Sequence, residues 1–229
     1  MVQQGADMID IGAESSRPGG MAISEREELR RIMPVLEALR LVVDIPISVD
    51  TWKSEVAYQV LSSGADIIND ITAGNGDPAM PGVISKFSAG VILMHMKGVP
   101  RTMQNDPEYD DLMPEIIAYL RCAIDIMKAA GVKSEKIIVD PGIGFGKTLE
   151  HNLEVLRDLD RLKCLGKPVL VGPSRKSFLG EVTGKETDAR IFGTAASVAA
   201  AAYAGANIVR VHDVAPMFDV IRVIDAIIR

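Results

Sequence analysis

Short apolar runs and longer amphipathic stretches alternate along this chain. Seven runs are apolar without two-residue alternation: Met8–Gly12, Pro46–Asp50, Asp66–Asp70, Val91–His95, Ile137–Pro141, Val169–Gly172 and Ile208–His212. That pattern fits strands buried on both faces of a parallel sheet. The stretch Glu25–Leu39 sets Leu29, Ile32, Met33, Leu36 and Leu39 on one helical face. Ser24 with Glu27 three residues later reads as a capping box. Pro34 inside it leaves a kink or a late start open. Further helices are expected over Lys53–Ser62, Leu112–Ala130, Glu150–Leu162, Arg190–Ala204, and from Pro216 to the end. A local pattern recurs: Gly5-Ala6-Asp7-Met8-Ile9-Asp10 resembles Gly64-Ala65-Asp66-Ile67-Ile68-Asn69 and Gly205-Ala206-Asn207-Ile208-Val209-Arg210. In each, a helix-stopping glycine precedes a strand that ends in a polar residue.

Strand alternating with helix predicts an α/β domain with a parallel sheet, closed as a barrel or open and doubly wound. Either places ligands at the carboxyl ends of the strands. Asp10, Asp50, Asn69, Asp140, Lys176, Arg210 and His212 stand at those ends, which favours a closed ring. Seven strands is one short of the eight of a (β/α)8 TIM barrel. Met1-Val2-Gln3-Gln4, leading into Gly5, reads as the tail of a first helix whose strand is absent. The whole chain, 1–229, is expected to be one barrel domain.

Composition narrows the partners. The net charge of −6 over 229 residues offers no basic surface for nucleic acid or anionic membrane. The 48 % hydrophobic content suffices for one large core. No opening segment reads as a signal peptide and no apolar run spans a bilayer. Cys122 and Cys164 lack ligand spacing and read as reduced thiols used for packing. A cytoplasmic location is expected.

Ser48-Val49-Asp50-Thr51 and Ile68-Asn69-Asp70 end two strands with groups able to bond a polar ring system. Capping of the next helices is the competing reading, and convergence with Asp140 favours a site. Asp140-Pro141-Gly142-Ile143-Gly144-Phe145-Gly146-Lys147-Thr148 misses the P-loop spacing, because Pro141 stands where the first glycine belongs. Its glycines would instead let a loop approach a ligand, with Phe145 as an apolar wall. An ionised Asp140 would accept from an aminopyrimidine-like edge. Arg175 and Lys176, directly after a strand in an acidic chain, favour an anionic or carbonyl-bearing substrate. Arg210 and His212, two residues apart, leave one face of an extended strand as a phosphate clamp; His212 also fits a neutral donor or a structural role. Glu14-Ser15-Ser16-Arg17-Pro18-Gly19-Gly20 reads as a loop closing over a charged ligand, or as an ordinary βα loop. His95, between Met94 and Met96, reads as packed. His95, His151 and His212 share no spacing, which leaves zinc unsupported.

Taken in order, these segments resemble dihydropteroate synthase, of the pterin-binding family. The specific matches are Asp140-Pro141-Gly142-Ile143-Gly144-Phe145-Gly146-Lys147 and Ser174-Arg175-Lys176-Ser177. Asp10–Gly19, Ser48–Thr51, Asn69-Asp70, Met94-His95-Met96 and Arg210–Asp213 add to them. The resemblance implies a (β/α)8 barrel that joins hydroxymethyl-dihydropterin pyrophosphate to p-aminobenzoate, with Mg²⁺, and often a homodimer. It implies pterin contacts at Asp50, Asn69, Met94, Asp140, Phe145, Gly172 and Lys176. Pyrophosphate would fall to Ser16, Arg17, Arg210 and His212, and p-aminobenzoate to Pro18, Arg175 and Ser177. Ser16 replaces the family's threonine and keeps its hydroxyl. The family's first strand, with its asparagine for Mg²⁺–pyrophosphate, has no counterpart here, so no metal ligand is assigned and turnover by this chain is expected to be weak or absent. A methyl-tetrahydrofolate-dependent methyltransferase domain, or a non-catalytic pterin-binding paralogue or fragment, are the alternatives.

Overall fold

The computed structural model describes residues 1–15, 20–99 and 102–228. Seven parallel strands follow one another: β1 (Ile9–Gly12), β2 (Ile47–Asp50), β3 (Ile67–Asp70), β4 (Gly90–Met94), β5 (Ile137–Asp140), β6 (Leu170–Val171) and β7 (Ile208–Val209). Between and after them lie α1 (Glu25–Arg40), α2 (Ser54–Ser62), α3 (Met80–Phe87), α4 (Leu112–Ala129), α5 (Leu149–Arg157), α6 (Ser177–Thr183), α7 (Ile191–Tyr203) and α8 (Val214–Ile228). β1 to β5 pair in sequence order. A single bridge, Val139 to Val169, carries the order to β6, which pairs β7. Strands in chain order with intervening helices are the frame of a (β/α)8 barrel. Among the described residues β1 and β7 do not pair through backbone. There the ring is bridged by side chains, Arg210 Nε lying 2.7 Å from Asp10 Oδ2.

The register explains the polar ring. Gly12 lies opposite Asp50, Asp50 opposite Asn69, and Met94 opposite Asp140. Polar strand ends are thus brought level at one rim. Below them Ile47, Val49, Ile68, Val91, Leu93, Ile137, Val139 and Val171 are wholly buried in one core cluster with the helices. Burial on both faces is why these strands read as unbroken apolar runs.

Helix boundaries show where local signals hold. α1 starts at Glu25 and contains Pro34, which removes the late-start reading. Ser24 Oγ accepts from Glu27 N at 3.3 Å. Glu27 turns its carboxylate to Arg30 and Arg31 instead, so only half of the expected box forms. The complete capping box is Thr148 with His151. Ser24→Ala should cost about 1 kcal/mol, read as a melting temperature lower by roughly 2–4 °C; an unchanged melt would show the cap to be idle. α5 stops at Arg157, and a 3-10 segment follows over Leu159–Leu165. α3 and α6 were not expected. α3 carries Pro81 and Gly82 in its first turn, and α6 spans seven residues with Gly180 inside, so neither carries a long apolar period. Cys122 and Cys164 are both exposed, on outward faces, which corrects the packing expectation. No helix among the described residues is long and apolar enough to cross a membrane.

Candidate active site

The first half of the rim is a charge cluster. Asp10 on β1 is level with Ser48 on β2, two residues before Asp50, and the Arg210 guanidinium lies 2.7 Å from Asp10 and 4.0 Å from Asp50. Asn69 Nδ2 donates to Asp10 Oδ2 at 3.4 Å. Burial, and then the negative charge of Asp10, push the Asp50 carboxyl up to about 7, against the pull of Arg210. Three buried polar atoms here, Asp10 Oδ1, Ser48 Oγ and Asn69 Oδ1, have no hydrogen-bond partner. Buried polar atoms without partners are rare, and three on adjacent strands describe a surface that a polar ligand completes.

The second half is built by the loop after β5. Asp140, buried at the strand end, accepts from Gly142 N at 2.7 Å. Burial raises its carboxyl above the ordinary range, and the Lys176 ammonium opposes that. Lys176 donates to the Ile143 carbonyl and lies over the Phe145 ring, 4.6 Å from its centroid; burial lowers its ammonium to about 8. Phe145 packs with Trp52, Ile71, Met94, Met96 and Met103, so Met94 and Phe145 share one apolar wall. Gly142 at φ 69° is required by close approach, since a Cβ there would lie 1.9 Å from the His95 carbonyl oxygen.

A cavity of about 1210 Å³ is lined among others by Asp10, Ser48, Asn69, Gly172, Arg175, Lys176, Arg210 and His212; of the second half Lys176 reaches it, whereas Asp50, Met94, Asp140 and Phe145 do not line it. Two expectations need correction. β7 ends at Val209, so Arg210 and His212 do not share a strand face. Arg210 turns to Asp10, whereas His212 Nδ1 lies 2.9 Å from Ser174 Oγ. Arg175 is held by Asp213 at 2.7 Å and Asp188 at 3.2 Å, with a left-handed φ of 58°; it reaches the cavity as a paired cation. Ser177 is exposed at the start of α6 and does not line the cavity. Ser16, Arg17 and Pro18 lie outside the described residues. His95 is buried as expected, its ring 4.9 Å from that of Tyr119.

Asp10, expected among the strand-end residues, does reach the site, from inside β1 rather than from its end. Ser48 and Ser174 carried no signal of their own, and the structure brings both to the site. Glu14, Lys53 and Glu28, which lie far apart in sequence, meet just past the ends of β1 and β2: Lys53 Nζ is 2.5 Å from an oxygen of each glutamate. Among the described residues no group of three or more His, Cys, Asp or Glu could hold a metal ion. No step is assigned to a metal ion.

Fold and site together define a barrel enzyme with a charge-balanced pocket at its strand ends. The chain belongs to the pterin binding enzyme family, whose profile matches residues 1–212. It is 48 % identical to a dihydropteroate synthase of Synechocystis over its full length and 80 % of that relative. A crystal structure of a Clostridium difficile dihydropteroate synthase in the presence of pteroic acid superposes with TM-score 0.95. That pair is 44 % identical, with 100 % of this chain and 84 % of the other covered. A Yersinia pestis dihydropteroate synthase with a sulfonamide drug gives TM-score 0.96 at 42 % identity, covering 99 % of this chain and 82 % of the other.

Proposed function

We propose that the chain is a dihydropteroate synthase, a transferase that joins hydroxymethyl-dihydropterin pyrophosphate to p-aminobenzoate and releases pyrophosphate. The observation that carries this is the set of unpartnered buried atoms Asp10 Oδ1, Ser48 Oγ and Asn69 Oδ1 beside Asp140 and Lys176, in a chain 48 % identical to such an enzyme. Asp140 and Asp50 accept from the aminopyrimidine edge, Asn69 bonds the ring, and Lys176 donates to its carbonyl side. Met94 and Phe145 cover a face, and Gly172 leaves room for the ring. Arg210, His212, Ser16 and Arg17 receive the leaving pyrophosphate, where fixed cations favour the charge that develops. Pro18 and Arg175 are assigned to the p-aminobenzoate side. As pyrophosphate departs, the C–O bond to the pterin methylene breaks. The aniline nitrogen then forms the C–N bond and gives up a proton. No side chain need bond covalently to substrate.

A cytoplasmic location agrees with free thiols at Cys122 and Cys164. Self-association through α7 and α8 is supported by exposed Phe192, Tyr203, Val223 and Ile227. The reaction is tested by incubating the chain with both substrates. The same is done with a fusion that adds the part of the Synechocystis relative this chain does not span. Dihydropteroate and pyrophosphate should appear one to one. Binding of pterin without product from either protein would refute the assignment.

A further inference from the structure

The loop 142–146 has almost no backbone pairing of its own, yet each of its five carbonyls accepts from a side chain. Lys147 Nζ takes Gly142 O at 3.0 Å and Phe145 O at 3.2 Å. Lys176 takes Ile143 O, Gln104 takes Gly144 O at 3.0 Å, and Tyr109 takes Gly146 O at 2.7 Å. Lys147 alone holds two. Its third contact is His95 Nδ1 at 3.0 Å, on the residue directly after β4. An ammonium has three donors and no acceptor, and here each donor has one acceptor. Such a cage requires a neutral imidazole protonated on Nε2. Burial and the Lys147 charge hold His95 far down, to about 2. Lys147 itself is buried, lowered to about 7, with Asp140 opposing that shift.

We propose that Lys147 is a positioning residue for the pterin pocket: it clamps the glycine loop onto β4 and so fixes Phe145, the Ile143 carbonyl that holds Lys176, and the setting of Asp140. It touches no substrate. Its effect passes through the loop, whose alternating left-handed glycines at 142, 144 and 146 supply no rigidity of their own. Without the clamp, Lys176 and Phe145 lose a common reference, while the Arg210 side of the cavity keeps its own anchors in Asp10 and Asp50. The defect should therefore fall on the pterin and spare p-aminobenzoate.

The inference rests on reading the cavity as a pterin site, and its test separates the two. The folded Lys147→Met chain should bind 6-hydroxymethylpterin at least tenfold more weakly by calorimetry. In the active protein the KM for the pterin pyrophosphate should rise at least tenfold, with that for p-aminobenzoate within twofold. A variant that only melts lower, with unchanged pterin Kd, overturns the role. A wild-type chain that binds no 6-hydroxymethylpterin overturns the pterin reading instead. Should the variant not fold, nitrogen-15 spectra of the wild type at pH 6 still decide the cage: His95 must be neutral with its proton on Nε2, and a proton on Nδ1 overturns the proposal.

Discussion

Replacing Asp50 by asparagine should stabilise the folded chain at pH 8 while weakening pterin binding about 10- to 100-fold, the range for a lost charge-assisted hydrogen bond. In an unfolded chain an aspartate gives up its proton near 4. Asp50 holds its proton to about 7, because burial and the Asp10 carboxylate oppose its charge. A carboxyl raised in the fold costs nothing below the lower value and its full penalty above the upper one. At pH 8 that penalty is on the order of 2–4 kcal/mol. Asparagine removes it, so the variant should melt at least roughly 4–8 °C higher. The gain should shrink as pH falls from 7 and vanish below about 4. Thermal melts of both proteins at pH 4, 6 and 8 check this. A variant no more stable than wild type at pH 8 would mean that Arg210 already neutralises the pair.

Lys53→Met should lower stability more than any other single change considered. Lys53 joins Glu14 and Glu28 in a nearly dry cluster, Glu28 being only 1 % exposed. Methionine keeps the stem and removes the charge, leaving Glu28 buried beside another carboxylate. Breaking a buried pair by deleting one partner costs about 3–5 kcal/mol, or roughly 6–20 °C in melting temperature for a chain of this size. Glu14 also accepts from Ile23 N at 3.0 Å and Trp52 Nε1 at 3.2 Å. It thereby ties together the two ends of the segment that carries Ser16, Arg17 and Pro18. Burial works against its charge, but its hydrogen bonds, from Lys53 first, hold its carboxyl below the ordinary range. That contribution is present above about pH 4.5 and lost as pH falls through the lowered value. The gap between wild type and variant should therefore be widest near neutrality and narrow toward pH 3. Equal melting at pH 7 would refute the cluster's role.

Where the strands lie was legible because β2 to β6 are buried on both faces and so carry unbroken apolar runs; β1 and β7 are only partly buried but keep the same short apolar run. Their ends were less so. β6 and β7 form only two residues each, and the clamp geometry derived for Arg210 and His212 depended on a longer strand. α3 and α6 escaped because proline, glycine or shortness erased the helical period, while packing against neighbouring elements stabilises them.

The sequence by itself determined the order of the seven strands, the polar residues in or just after most of them, and the family, since these are local patterns or matched motifs. Tertiary structure alone decided which charges meet. Asp10 and Arg210 are two hundred positions apart, and Glu14, Lys53 and Glu28 sit on separate elements. Lys147 and His95 come together only because the glycine loop folds back on β4. Whether a buried charge is paired, shifted or left for a ligand depends on distance and burial, and both exist only once the strands are in register.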